Sequence, residues 1–253
     1  MPGIRLQPGI IYGPILSRRL GRSLGINLLP TDRKTCSFDC LYCQYGPAKV
    51  IDLTKTQIVF PSVNAILQAV KHALMKPRTI EMLTFSGNGE PTLHPDFVEI
   101  VHGVFTLRNE LRPEAKLAIF SNASRVVDPN IISTLGMFDV PMMKLDAGDV
   151  TTFQRLNRPS EEIDFNNLVS SLRKLPNLMI QSLLLDGEIS NVHGDAYTAW
   201  ASLLAELKPK LIHIYSTSRP TAYAGVKSVN AHRLKVIADE LEERYQLNVM
   251  AFD

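Results

Sequence analysis

Three cysteines, the only ones in 253 residues, fall within a single short run, Cys36-Ser-Phe-Asp-Cys40-Leu-Tyr-Cys43. An odd, tight group is no disulfide framework and fits a reducing compartment, so metal ligation is its natural chemistry. Thiolates three and four residues apart converge on one centre when the backbone curls into a loop. Soft sulfur ligands select iron–sulfur clusters or zinc. The fourth ligand separates these two. A structural zinc site needs four protein ligands, yet no cysteine remains and the nearest histidine in sequence, His72, is far along the chain. An iron–sulfur cube on three protein thiolates keeps one iron open for a substrate or cofactor. Buried thiols, or zinc completed by a distant histidine, are the competing readings.

The elements that must position this loop follow a strand–helix alternation. Gly25 to Leu29 reads as a short strand, with the cysteine loop directly after it and Gly46-Pro47 closing the loop. Ser62 caps a helix running to about Met75, whose Val63, Ile66, Leu67, Val70 and Leu74 recur at helical spacing, and Pro77 ends it. The alternation continues with a strand at 79–85, a helix near 95–111, a strand at 116–120, a helix after Asp128 and a strand at 139–145. A loop through Asn157-Arg-Pro159 precedes a helix at 164–175 and a strand at 178–185. A helix carrying Tyr197, Trp200, Leu203, Leu204 and Leu207 on one face, a strand at 211–215 and a last helix near 228–245 complete the pattern, and 248–252 is a candidate extra strand. Six strands alternating with helices imply a parallel sheet, doubly wound or curled as a barrel, with function at the strand C-termini. No low-complexity linker interrupts the chain, so one domain spanning 1–253 is expected.

Polar motifs sit at those strand ends. The second strand runs into Ser86-Gly87-Asn88-Gly89-Glu90-Pro91, where two glycines would let backbone groups approach a ligand, or would simply turn the chain into the next helix. The third ends at Ser121-Asn122, whose short side chains suit a ribose or carboxylate and equally suit capping. The fourth ends in Lys144-Leu-Asp146, a pair on one strand face that would point into the mouth or brace it. Tyr215 ends the sixth. His94 is read as opening a helix, His213 as alternating within a strand and His193 as lying in a loop.

Composition narrows the function classes. Hydrophobic residues are 45% and charged residues 21%, a globular balance that excludes disordered, collagen-like and disulfide-dense chains. No apolar run is long enough to span a bilayer, and the first twenty residues lack a signal-peptide pattern, which makes the cytoplasm the expected location. A net charge of +2 compels no nucleic-acid partner, although Arg18, Arg19 and Arg22, with Arg33 and Lys34, form a local basic cluster able to meet phosphate.

On these residues the sequence resembles the radical S-adenosylmethionine superfamily. Cys36-x3-Cys40-x2-Cys43 matches its cluster motif, Tyr42 supplies the aromatic residue usual before the last cysteine, and Gly87 to Pro91 falls where that superfamily has its Gly-Gly-Glu-type turn. The stretches 19–27, 36–46, 85–92, 144–147, 157–159 and 214–220 are similar to the branch related to wyosine-forming tRNA enzymes. The resemblance implies a partial (β/α)6 TIM-type barrel with a cluster loop at 30–46. Cys36, Cys40 and Cys43 would bind a [4Fe-4S] cluster whose open iron takes S-adenosylmethionine. Reductive cleavage of that cofactor would yield a 5′-deoxyadenosyl radical that abstracts hydrogen from substrate. Gly87, Gly89 and Glu90 would hold the cofactor's amino end, Ser121 and Asn122 its ribose or carboxylate, and Tyr42 would pack near the adenine. Asn88 departs from a plain Gly-Gly-Glu turn. Lys144, Asp146 and Arg219 are candidates for the catalytic, substrate-facing group.

The resemblance also sets limits. Wyosine-forming relatives carry a second cluster on further cysteines, which this chain lacks, so condensation of a two-carbon unit onto guanine is not expected while simpler hydrogen abstraction is. The electron would come from a separate low-potential donor of flavodoxin or ferredoxin type. The expected activity is a radical enzyme acting on an unidentified substrate, with an RNA nucleotide as one candidate. A glycyl-radical activase, a peptide-modifying enzyme and a non-catalytic iron–sulfur protein are the alternatives.

Overall fold

The computed structural model describes residues 4–47, 58–218, 221, 223 and 225–253. Two strands, β1 (Ile11–Ser17) and β2 (Gly21–Ile26), form an antiparallel hairpin. From β2 the sheet continues through β3 (Met82–Phe85), β4 (Lys116–Ser121), β5 (Val140–Lys144), β6 (Met179–Leu183), β8 (Leu211–Tyr215) and β10 (Val249–Phe252), all parallel. Two short strands, β7 (Leu185–Gly187) and β9 (Val226–Ser228), pair separately. The large sheet keeps sequence order from one edge to the other. Every right-handed crossover therefore steps the same way and all helices fall on one face. That topology is a curled partial barrel, since a doubly wound sheet would reverse its strand order.

The helices form where the sequence supplies caps. In α1 (Val63–Leu74) Ser62 accepts from the Ala65 amide, and in α3 (Pro129–Leu135) Asp128 accepts from Asn130 with proline in the first turn. Helix α2 (Phe97–Leu111) buries Phe97, Ile100, Val101 and Val104 against the outer face of the sheet. Asp164 caps α5 (Phe165–Leu172), α6 (Gly194–Leu207) buries Trp200, Leu203 and Leu204, and Asn230 caps α7 (Ala231–Tyr245). The Trp200 indole donates to the Leu145 carbonyl at 3.1 Å, which ties the outer helix layer to the end of β5.

Four expectations are corrected. The large sheet holds the six anticipated strands and the candidate at 248–252, and adds an antiparallel strand, β1, that the sequence reading lacks. The first parallel strand is 21–26 rather than 25–29, because Leu28 and Leu29 are buried in the loop beyond its end. The segment before Asn157-Arg-Pro159 is a helix, α4 (Val150–Asn157), capped by Asp149. His94 closes a 3-10 turn at Pro91–Leu93 instead of opening α2. Among the described residues no helix is long and apolar enough to cross a membrane.

Candidate functional site

The cysteine loop leaves β2 and is clamped from both sides at the C-terminal mouth of the sheet. On one side it meets the glycine turn after β3: the Thr35 amide donates to the Asn88 carbonyl at 2.8 Å, and the Glu90 amide to the Thr35 carbonyl at 3.0 Å. Gly89 has φ +148°, and a Cβ there would stand 1.8 Å from the Thr35 carbonyl oxygen. Gly87 has φ +140° and is crowded by Asn27 Oδ1 in the same way, at 2.5 Å. Gly89 is thus required by the backbone of Thr35 and Gly87 by the side chain of Asn27, in line with the tight turn that the sequence offered beside the approach of a ligand. Asn88 explains its departure from a plain Gly-Gly-Glu turn. Its side chain donates to the Pro30 carbonyl at 2.9 Å and accepts from the Gln7 amide at 2.7 Å, locking the turn to the N-terminal segment.

On the other side the loop rests on the end of α4. The Asp39 amide donates to the Arg158 carbonyl at 3.1 Å, Leu41 to Leu156 at 3.0 Å, and Ser160 to the Ser37 carbonyl at 2.9 Å. Arg158 turns left-handed at φ +46° to end the helix, so Asn157-Arg-Pro159 is the brace of the cysteine loop.

Each sulfur meets a nitrogen donor. Asn122 Nδ2 lies 3.5 Å from Cys36 Sγ, Asn157 Nδ2 lies 3.5 Å from Cys40 Sγ, and the buried Lys34 ammonium bonds to Cys43 and feels the charge of all three sulfurs. Burial pulls the Lys34 pKa down, but the sulfurs outweigh it and the net direction is up. The three cysteines are free. Burial pushes the Cys40 thiol up to about 11 and Cys36 further up, so a bound cation is what would displace their protons. Among the described residues no three His, Cys, Asp or Glu side chains gather closely enough to hold a single metal ion. Three thiols, each beside an N–H donor and, among the described residues, with no fourth cysteine or histidine joined to them, fit a cluster with one open iron better than a closed zinc site.

Glu90 is buried and fully engaged. Its Oε1 accepts from Thr92 N at 3.0 Å and Ser121 Oγ at 2.8 Å, and its Oε2 from Asn122 N at 2.5 Å. Burial raises its pKa above the ordinary carboxylate value, against the pull of these bonds. The glycine turn, Ser121 and Asn122 are therefore one hydrogen-bonded unit beside Cys36.

The inner face of the barrel carries a second polar system. Tyr42 and Asn157 both donate to Asp146 Oδ2, Asn157 at 2.7 Å, while Asp146 Oδ1 accepts from the Leu183 amide at 2.7 Å. Lys144 pairs with Asp146 at 3.2 Å and donates to Tyr215 OH at 2.9 Å. Desolvation works against the Lys144 charge, but Asp146, Tyr215 and Cys40 together raise its pKa above the usual lysine value and hold it as a cation. Tyr215 in turn donates to Gln181 at 3.3 Å, and Arg19 donates to the same oxygen at 3.2 Å. A continuous chain of bonds runs from Cys40 through Asn157, Asp146, Lys144 and Tyr215 to Gln181. Tyr42 belongs to this wall, its ring 4.7 Å below the Lys144 ammonium. Beside it lies a cavity of ≈ 330 Å³, lined by Tyr12, Tyr42, Thr84, Ser86, Phe120 and Tyr215 among others.

Sequence reasoning brought together the cysteines, Glu90, Ser121 and Asn122, and separately Lys144 with Asp146. Arg219 lies outside the described residues. Of the expected basic cluster, Arg18 pairs with Asp253 at 3.8 Å, Arg19 turns into the barrel, Arg33 pairs with Asp32 at 3.0 Å, and Lys34 is buried beside the sulfurs. Asn157 stood in the sequence only as part of the 157–159 motif stretch, with no site role given to it, and Gln181 was missed because a lone amide within a strand carries no spacing signal.

A family model described as the Radical SAM superfamily matches residues 34–188. A "UPF0026 protein" of Helicobacter pylori is 30% identical over 235 residues, covering 90% of this chain and 73% of its own length. A Brachyspira hyodysenteriae protein named "GTPase Obg" is 28% identical over 91% of this chain, which spans only 33% of that protein's length. In fold, a radical SAM methyltransferase from Sphaerobacter thermophilus superimposes with a TM-score of 0.64 at 14% identity, covering 91% of this chain and 65% of its own. With three cysteines gathered at the mouth of a singly wound partial barrel, the chain belongs to the radical SAM superfamily of enzymes, which work with a [4Fe-4S] cluster and S-adenosylmethionine.

Proposed function

We propose that Cys36, Cys40 and Cys43 ligate the cluster, that S-adenosylmethionine lies across the unit formed by Gly87, Gly89, Glu90, Ser121 and Asn122, and that substrate enters the adjoining cavity. Residues 1–253 act in this reading as one radical SAM core with its cluster loop at 30–46. When bound, cluster and cofactor supply one-electron cleavage of the sulfonium and a 5′-deoxyadenosyl radical for hydrogen abstraction. The chain's own residues orient and insulate. The clamp of Thr35 on Gly89 and of Leu41 on Leu156 fixes the cysteine loop, Asn122 and Asn157 point N–H groups at two sulfurs, and Tyr42 walls the cavity. Lys144, held protonated by its pairing with Asp146, positions Tyr215 of the cavity wall through its bond to the phenol oxygen.

The observation that carries this reading is the loop of three free thiols, each with its own nitrogen donor, clamped between the glycine turn after β3 and the end of α4. The motif stretches given above support a position beside the wyosine-related branch. Arg18 pairs with Asp253 and Arg19 turns inward, which favours a small organic molecule in the cavity over a nucleotide as substrate. The electron donor is an external low-potential flavodoxin or ferredoxin. Anaerobic reconstitution followed by electron paramagnetic resonance is the test. The reduced protein should give a cubane signal that shifts on adding S-adenosylmethionine, and Cys40→Ala should lose both the cluster and 5′-deoxyadenosine formation. A Cys40→Ala protein that still makes 5′-deoxyadenosine refutes the assignment.

A further inference from the structure

Arg19 is a charged residue of the barrel interior that the reading above leaves without a role. It stands on the turn between β1 and β2, and its guanidinium carbon lies 4.6 Å from the Phe120 ring centre and 4.5 Å from that of Tyr215. The guanidinium's one hydrogen-bond partner among the described residues is a neutral oxygen, Gln181 Oε1 at 3.2 Å. Other interior charges are matched or absent. Lys144 is paired with Asp146, Arg18 reaches Asp253 at the rim, and His213 carries no proton at neutral pH because burial, with the Arg19 charge, depresses it to about 4. No Asp or Glu is among the residues lining the cavity, whereas Arg18, Arg19 and several hydroxyls are.

A guanidinium held between two rings presents its free N–H edge as a planar fork. With one unmatched charge it complements a monoanion. A phosphate monoester brings up to two negative charges and asks for more, whereas a carboxylate meets the fork through two parallel bonds. The cavity, ≈ 330 Å³, is at the small end of ligand sites. We propose that this cavity is a carboxylate-binding site in which Arg19, backed by Gln181 and stacked between Phe120 and Tyr215, takes the acid group of a small substrate. The proposal rests on the placement of substrate in this cavity given under Proposed function.

The test is ligand-observed NMR titration of the reconstituted enzyme, with S-adenosylmethionine, using benzoate, benzamide and methyl phosphate as probes. Benzoate should bind the wild-type protein at least tenfold tighter than benzamide. Arg19→Gln should weaken benzoate at least tenfold without changing benzamide, Arg19→Lys should fall between, and Arg173→Gln, at the end of α5 and paired with Glu206 away from the cavity, should match wild type. The site is overturned if benzoate and benzamide bind alike, if neither benzoate nor methyl phosphate binds, or if Arg173→Gln weakens benzoate as much as Arg19→Gln. Tighter binding of methyl phosphate than of benzoate overturns the carboxylate assignment. Should Arg19→Gln fail to fold, Arg19→Lys and the wild-type preference between benzoate and benzamide still decide. Arg19-dependent benzoate binding in a protein that never makes 5′-deoxyadenosine would sink the radical reading and keep this site; cofactor cleavage with Arg19-independent binding would do the reverse.

Discussion

Replacing Asp146 with leucine removes the acceptor on which the interior polar chain converges. The carboxylate is fully buried and takes Lys144, Tyr42, Asn157 and the Leu183 amide. Its loss strands the Lys144 ammonium, itself 10% exposed, without a counter-charge. Breaking a buried ion pair in this way costs about 3–5 kcal/mol. In a chain of this size that corresponds to a melting temperature lower by roughly 6–20 °C. Lys144→Met should cost a similar amount by leaving the carboxylate unpaired. The double variant should fall short of the sum by about 1–3 kcal/mol, because neither charge is then left alone. It should not return to wild type, since Tyr42, Asn157 and the Leu183 amide still lack their acceptor. Guanidinium unfolding of all four proteins, stripped of iron by chelator, reads these differences directly. Asp146 also holds Tyr42 and Asn157, which belong to the cysteine loop and its brace, so Asp146→Leu should lower the iron bound after reconstitution more than Lys144→Met does. Additive costs, or an Asp146→Leu penalty below about 1 kcal/mol, would refute the claim that this pair is a buried, mutually dependent unit.

Two further outcomes follow from single side chains. Lys34→Met removes the cation that faces all three sulfurs and should lower the cluster's midpoint potential by tens of millivolts, 59 mV being tenfold in a one-electron couple, as read by redox titration of the paramagnetic signal; an unchanged potential would place the ammonium out of reach of the cluster. His213 is depressed to about 4 by burial and the nearby Arg19 charge, so between pH 6.5 and 4 the unfolded chain binds the extra proton. Stability should therefore fall across that window as pH drops, by on the order of 2–3 kcal/mol, and His213→Leu should flatten the fall in a pH series of unfolding curves.

Legibility followed local signals. Ser62 and the apolar spacing after it placed α1 to within a residue or two, and the β-rich runs at 116–120 and 211–215 read directly as β4 and β8. Strand β1 was missed because Pro8, Gly13 and Pro14 punctuate it, and α4 because β-branched Val150, Thr151 and Thr152 weaken its helical pattern while Asp149 and tertiary contact with the cysteine loop restore it. In the site, the pairing of Lys144 with Asp146 follows from strand alternation and was readable, as was Tyr215 at the sixth strand's end. That Gly87 and Gly89 serve chain-to-chain contact depends on where Asn27 and Thr35 lie in space, and that Arg19 turns inward depends on the hairpin, neither of which has a sequence period.

The open side of the barrel has a consequence for behaviour at high concentration. Among the described residues β1 and β10 each pair with one neighbour only, so each offers a row of unpaired backbone groups to a passing strand. Leu16 on β1 is 80% exposed, which adds an apolar invitation. Yet Pro14 removes a donor from the middle of β1, its pairing with β2 is irregular between Tyr12 and Ile15, and β10 has four residues. A broken edge and a short edge template poorly for another chain. The protein can keep its barrel open without recruiting its own copies into intermolecular sheets, and restoring a regular β1 by replacing Pro14 with a β-branched residue would turn that edge into an aggregation site.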